Sequence, residues 1–383
     1  MDPDRAPCAF PAVSLAHKVP RGYPFPMPAD KYLHTPITRF QPDSSGTLRE
    51  FVAALGRTGG QPRRLATAVD LWSKMIERDR VVFCSIAGAP VPLGFGPAIA
   101  SFIERGRIDV LDITGAQLTH DMLEVYGSKH YQGYTTADDK ALAADEINRF
   151  WDTFGEEQDY RRVEPTIFDL ARSLPARPMT TREYVYRLGG WFKEVGSQPG
   201  IITAAHDAAT PVYCPAIGDS VLGMDLGLFR AQEGKRIVFD VVQDVLEMSA
   251  ICLLAEELGL RTATVIFGGG APRNHIQQSQ IGTYMFQQKG KGHAEAVRFS
   301  IEPVETGGLS GSTISEGISW KKFDPNVEAA EVFLDSNLSI AVTSSLVADR
   351  EPSRQLRFRH EDDGTLSVIH AGKTYNLSEK YGF

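Results

Sequence analysis

Residues 80–115 read RVVFCSIAGAPVPLGFGPAIASFIERGRIDVLDITG. Arg80–Ile86 is a short apolar run of strand length. The Gly/Pro-rich stretch Ala87–Gly96 cannot extend it, because proline lacks the N–H that a ladder needs. A helix then runs through Arg105, and Ile108–Ile113 is a second apolar run ending at Thr114-Gly115. Strand, glycine turn, helix and strand make a βαβ unit, the building block of a parallel sheet covered by helices. The expected fold is therefore α/β, a doubly wound, Rossmann-like, mostly parallel sheet with helices on both faces.

Towards the C-terminus, Pro211–Ile217 (PVYCPAI) reads as a strand ending at Gly218-Asp219-Ser220, and Thr262–Phe267 (TATVIF) as one running directly into Gly268-Gly269-Gly270. Val332–Leu334 is expected as the last strand before Asp335. Lys140–Phe154, Thr181–Val195 and Ile237–Leu258 read as helical, with charged Gly155–Arg162 as an exposed connection. On the N-terminal side, Thr47–Leu55 and Leu65–Ile76 carry helix-type apolar spacing, separated by Gly59-Gly60. Residues 1–45, rich in proline and aromatics, are expected to form an extended arm, and residues 46–350 the α/β domain. In residues 351–383, Leu356–His360 and Thr365–His370 flank Glu361–Gly364, a hairpin signal.

Bulk properties narrow the function. Hydrophobic residues make up 42% of 383, enough for one large core or two moderate ones. A net charge of -8 without any lysine/arginine block argues against nucleic acid, which needs a concentrated basic surface. Apolar runs such as Ile201–Ala205 and Ala250–Ala255 are far shorter than a bilayer span, and MDPDRAPCAF lacks the pattern of a secretory signal. The scattered cysteines 8, 84, 214 and 252 have no metal-type spacing and fit reduced thiols in a cytoplasmic protein.

Four places could carry chemistry. The triple glycine after a strand lets backbone approach a phosphate, although by itself it is equally compatible with an empty tight turn. The strand ends at Thr114-Gly115, Asp219-Ser220, Gly268–Gly270 and Asp335 lie where open α/β sheets bind ligands. An aspartate there can hold a ribose or an ammonium, or simply cap the next helix. Asn274-His275 could shuttle protons beside a nucleotide, or be structural. Finally, Gly307-Gly308-Leu309-Ser310-Gly311 precedes Glu316 and Ser319-Trp320-Lys321-Lys322. An indole and a carboxylate could receive a cation, and a lysine of depressed pKa attacks carbonyl-like carbon. A solvated surface loop has the same composition.

From about Val81 to Asp335 these segments together resemble the deoxyhypusine synthase family. The resemblance rests on VIFGGGAPRNHI (Val265–Ile276), SEGISWKK (Ser315–Lys322) and CPAIGDSVLG (Cys214–Gly223). It implies that NAD takes hydride from spermidine, that a lysine then captures the four-carbon amine fragment as an imine, and that an acceptor amine removes it. The nucleophile implied is Lys322, two residues after Trp320, with Lys321 where the family pattern usually has glycine. Trp320 is implied to stack on the polyamine and Glu316 to bind an ammonium. For NAD, the positions implied are Thr114, Gly115, Asp219, Gly268, Gly269, Gly270, Ser310 and Asp335. A homotetramer with active sites between subunits is implied as well.

The chain departs from the pattern in places. Asn274 stands at the family's usual catalytic histidine, with His275 one residue later. Leu309 replaces one substrate-binding aspartate, and Met224 another, with Asp225 beside it. The segment near Gly88 lacks the polar side chains that the family points at NAD. The expectation is retained imine chemistry with altered amine recognition, homospermidine from spermidine and putrescine being the concrete form. An authentic deoxyhypusine synthase acting on a translation-factor lysine, and a non-catalytic NAD- or polyamine-binding protein, are the alternatives.

Overall fold

The computed structural model describes residues 35–287, 290–353 and 356–383. Most of the expected N-terminal arm thus lies outside the described residues. All elements below belong to one unit, Arg39–Phe383. Two helices, α1 (Leu48–Gly56) and α2 (Gly60–Glu77), lead into β1 (Arg80–Ile86), α3 (Gly96–Glu104), β2 (Val110–Ile113) and α4 (Gly115–Tyr126). A small antiparallel sheet follows, made of β3 (Tyr131–Gln132), β4 (Ile147–Phe150) and β5 (Thr153–Glu156), with α5 (Asp139–Ala144) in between. The chain continues through α6 (Glu157–Ser173), α7 (Thr181–Val195), α8 (Ile201–Ala208), β6 (Val212–Tyr213), α9 (Val221–Glu233) and α10 (Val241–Glu257). Next come β7 (Arg261–Phe267), α11 (Gly270–Gln287), β8 (His293–Phe299), α12 (Ile314–Ser319), β9 (Phe323–Val332) and α13 (Ser336–Val347). The described chain ends with β10 (Arg357–His360), β11 (Leu366–His370), β12 (Lys373–Asn376) and α14 (Leu377–Tyr381).

The main sheet has the order β6-β2-β1-β7-β8-β9, and every neighbouring pair is parallel. Counted along the chain, the six strands lie third, second, first, fourth, fifth, sixth. This is the doubly wound order, and its direction reverses between β1 and β7, where such sheets bind ligands. Side chains alternate between two cores, as strand geometry requires. Val82, Cys84 and Ile86 face a core containing Trp72, Phe102, Phe267 and Phe299, whereas Val81 and Phe83 face one built from α10, α11 and the C-terminal segment.

Several sequence expectations need correction. Lys140–Phe154 is not one helix: it breaks after α5 and becomes the β4–β5 hairpin. Glu146 and Trp151 adopt left-handed φ angles of 56° and 61° at its turns. Cross-strand packing overrides local helical spacing here, with Gly133 so close to the Phe154 ring that a Cβ would overlap it. Glu157–Arg162 is the first part of α6, whose continuing spacing buries Val163, Ile167 and Leu170. The strand expected over Pro211–Ile217 shrinks to two residues, because the Cys214 N–H turns to Thr181 Oγ1 and Pro215 has none. Of Val332–Leu334 only Val332 is in a strand, as the last residue of β9, and β8 went unread. The C-terminal hairpin pairs as expected, Arg357 with Ile369 and His360 with Leu366, but gains β12 and α14.

Candidate active site

The ends of β1, β7 and β8 lie side by side at the reversal point. The Ala87 N–H donates to Phe267 O, and the Gly268 N–H to Phe299 O, so β1, β7 and β8 end level. Gly268 and Gly270 have left-handed φ angles of 81° and 67°, conformations costly for any residue with a Cβ. Gly269 is small for another reason: a Cβ there would overlap Ser310. Ser310 Oγ in turn accepts the Gly270 N–H at 3.0 Å. The sequence placed Gly268–Gly270 and Ser310 forty residues apart, and the fold brings them into contact.

Two guanidinium groups hold the glycine-rich loop in place. Arg273, almost wholly buried on α11, donates to Leu309 O (2.8 Å), Ser310 O (2.9 Å) and Ser312 O (2.5 Å). Arg298 on β8 donates to Ser310 O at 2.6 Å. Nothing in the local sequence marks these arginines, since their partners are backbone carbonyls.

The loop, α11 and α12 enclose a cavity of about 280 Å³ lined by Asn274, Gln277, Leu309, Glu316, Trp320 and Lys322, among others. Lys322 is 9% exposed, and its Nζ donates to Asn274 Oδ1 at 2.8 Å. Burial, and then the positive charge of Arg273, lower its pKa from the ordinary lysine value, while Glu316 opposes them. Trp320 stands at the mouth, 63% exposed, with its ring 5.9 Å from Lys322 Nζ. The neighbouring Lys321 points elsewhere, its Nζ lying 6.0 Å from the centre of the Tyr284 ring. Its φ of 63° accounts physically for glycine being the easier residue at that position.

The other sequence-selected residues fall in different places. His275 does not line this cavity: its Nδ1 lies 2.5 Å from Asp112 Oδ2, inside the sheet. Burial lowers the His275 pKa, but Asp112 raises it further, for a net rise. The fully buried Asp112 is pushed up to about 6 by desolvation, against the pull of His275. Thr114 caps α4, accepting from the Gln117 N–H, and Gly115 packs so tightly on Ser220 that a Cβ would clash. Asp219 is exposed after β6. Asp335 caps α13 by accepting from the Asn337 and Leu338 N–H groups, the capping role its position allowed. Beside it, Asn337 Oδ1 is buried without a partner among the described residues.

Asp225 lies in a second cavity, of about 580 Å³, with Tyr160 and Glu164 on α6 and Phe150 on β4. It is 9% exposed, and burial followed by Glu164 pushes its pKa up to about 7. Within one chain it shares no lining residue with the Lys322 cavity. Sequence reasoning missed Gln277, Gln278 and Ser312, which line the Lys322 cavity. One turn of helix after Asn274 was the available signal for Gln277. Among the described residues, no group of three or more His, Cys, Asp or Glu side chains could hold a metal, and no helix is long and apolar enough to cross a membrane.

Comparison with known proteins identifies the family and the fold. A family model described as deoxyhypusine synthase matches residues 50–342. The chain is 32% identical over 309 residues to "Probable deoxyhypusine synthase 2" of Methanosarcina acetivorans, covering 79% of this chain and 87% of the relative. It is 32% identical over 325 residues to "Probable deoxyhypusine synthase" of Methanosarcina thermophila, covering 85% of this chain and 98% of that protein. A "Deoxyhypusine synthase-like protein" of Coxiella burnetii is 28% identical over 300 residues, with 77% and 82% covered. A crystal structure assigned to deoxyhypusine synthase, from Entamoeba histolytica, shares the fold: TM-score 0.53 at 15% identity, covering 82% of this chain and 98% of that one.

Proposed function

The chain belongs to the deoxyhypusine synthase family, whose members are NAD-dependent aminobutyltransferases, and on that premise we propose that it passes the 4-aminobutyl group of spermidine, through an imine on Lys322, to putrescine, giving homospermidine. The observation that carries this reading is the Lys322 amine, buried in a cavity and held by a neutral acceptor, with its pKa lowered. An amine of lowered pKa keeps a free lone pair closer to neutral pH, which a nucleophile requires.

NAD, when bound, supplies the hydride acceptor and donor. The strand ends at the sheet reversal suit it: Gly268 and Gly270 allow close backbone approach, helices begin at Gly115 and Gly270, and Asn337 Oδ1 is an acceptor without a partner among the described residues. Thr114, Gly115, Asp219, Gly268, Gly269, Gly270, Ser310 and Asp335 are the residues proposed to hold it.

Lys322 Nζ attacks the imine carbon of oxidised spermidine and forms a C–N bond. The bond to the other nitrogen breaks, and 1,3-diaminopropane leaves with the proton. The acceptor amine then displaces Lys322 in the same way, and the carbon of the new imine takes back the stored hydride while its nitrogen takes a proton, which gives the secondary amine homospermidine. Glu316 and Trp320 receive the ammonium end at the mouth, by charge and by the ring face. Asn274 orients Nζ but, being an amide, moves no proton; a neighbouring His275 tied to Asp112 acts in this reading only through the sheet. Asp225 contributes across a subunit boundary, in a homotetramer whose sites lie between protomers.

Protein incubated with NAD, spermidine and putrescine is expected to yield homospermidine and 1,3-diaminopropane; formation of neither overturns the reading. Lys322→Ala abolishes transfer while NAD affinity stays within about twofold. The open mouth at Trp320 also admits a protein lysine. Label passing from spermidine to a translation factor, and not to putrescine, identifies that acceptor instead.

A further inference from the structure

The polar groups of the Lys322 cavity are unevenly distributed. Among the described residues its one lining carboxylate is Glu316, exposed like Trp320. The other polar side chains of the lining are the carboxamides of half-buried Asn274 and Gln278 and of buried Gln277, the Ser312 hydroxyl, which donates to Leu309 O, and the cation Lys322, with the Arg273 charge near it. Gln277 stands out among them. It is 1% exposed, and its Nε2 has no hydrogen-bond partner among the described residues. A buried amide left unpaired is costly, so a native structure keeps one where something else completes it. Asn274, one helical turn earlier, already holds Lys322 Nζ. Gln277 lines the same cavity, and its Nε2 is uncommitted among the described residues.

We infer that Gln277 is a specificity-determining residue that hydrogen-bonds an uncharged nitrogen of the amine substrate, deep in the Lys322 cavity. This rests on the aminobutyl-transfer reading and deepens it. Chemistry requires an uncharged nitrogen at that depth. A carbon next to nitrogen gives up hydride only if the nitrogen lone pair can form the new C=N bond, and an ammonium has no lone pair. A carboxylate beside the reacting nitrogen would hold it protonated, by charge. The Gln277 Nε2–H donates only to a nitrogen that keeps its lone pair, so it binds the neutral amine and not the ammonium, and the bond is given up as that lone pair forms C=N. The cavity thereby separates two tasks. Charge is recognised at the mouth by Glu316, and the neutral reacting nitrogen is recognised at depth by Gln277.

The test uses the full-length, NAD-loaded protein and reads both spermidine binding by calorimetry and transfer rate. Gln277→Met keeps the volume and removes the amide. It is expected to melt no lower than wild type, because an unpaired amide is gone, yet to bind spermidine about tenfold more weakly. Gln277→Glu is expected to bind spermidine at least as tightly but to transfer more slowly, with its pH–rate limb moved upward by about one unit because the new charge stabilises both ammonium forms. Gln277→Met with wild-type affinity, or Gln277→Glu with an unmoved pH limb, overturns the inference and leaves the transfer reading intact. Wild-type protein that binds no amine at all overturns both.

Discussion

At position 274 an amide stands where proton transfer would call for a titratable ring, and it holds the Lys322 amine at 2.8 Å. Because an amide does not ionise in the working range, the pH–rate profile of transfer should lack a limb near the ordinary histidine pKa of about 6.5. Asn274→His is expected to introduce one, and a pH series of initial rates on the two proteins checks this. The sign for Lys322 is fixed by its lowered pKa: neutral amine, and with it activity, increases as pH rises towards that value and then levels off. Lys321 makes a separate, conformational prediction. Its left-handed backbone is tolerable for glycine but poor for a β-branched residue. Lys321→Val should therefore cost about 1–2 kcal/mol in denaturant unfolding, against a change of about 0.5 kcal/mol or less for Lys321→Gly.

Between elements, the decisive contacts join side chains to backbone. Arg273 ties α11 to the loop that carries Ser310, and its charge lies near Lys322. Removing that charge lets the Lys322 ammonium persist to higher pH. Borohydride trapping of the spermidine-derived fragment on Lys322 should then need more alkaline conditions in Arg273→Met than in wild type, while Arg273→Lys, which keeps the charge, should move the profile less. A second junction fastens the C-terminal sheet. The His360 ring stacks on Tyr186 at 3.7 Å, its Nδ1 lies 3.2 Å from Arg182 Nη1, and Nε2 lies 3.3 Å from Ala209 O. Receiving the arginine N–H requires an unprotonated Nδ1. Burial first, and then the Arg182 charge, push the His360 pKa down to about 2. A histidine depressed in the folded state stabilises it fully above the unfolded value of about 6.5, and that contribution is lost progressively as pH falls below it. The protection factors of the β10 and β11 amides, which are exchange rates corrected for their intrinsic pH dependence, should accordingly fall on acidification below pH ~6.5, and much less so in His360→Phe, which keeps the stack.

For the molecule as a whole, the C-terminal segment is part of the core rather than an appendage. Leu356, Phe358, Leu366, Val368 and Leu377 are buried in the core shared with α10 and α11. Full burial of such a side chain is worth about 1.5–3 kcal/mol, and a domain's net stability is only about 5–15 kcal/mol. Truncation after Arg350 is thus expected to give aggregated protein rather than an active core, as gel filtration would show. The doubly wound class was legible because buried parallel strands and glycine turns are local patterns, visible in Arg80–Gly115 and Thr262–Gly270 without knowledge of partners. Lys322 was marked by the resemblance of SEGISWKK to the family, since the composition of that segment is equally that of a solvated loop. Strand order, the β4–β5 hairpin and β8 were not legible, because pairing depends on residues distant in sequence and overrides local spacing. Neither the turning of His275 to Asp112 nor the unpaired amide of Gln277 could be read from α11 itself. The sequence by itself determined which elements could exist and which residues carry reactive groups. Only the tertiary structure decided which of those groups share a cavity, because the direction a helical side chain faces is set by what the helix packs against.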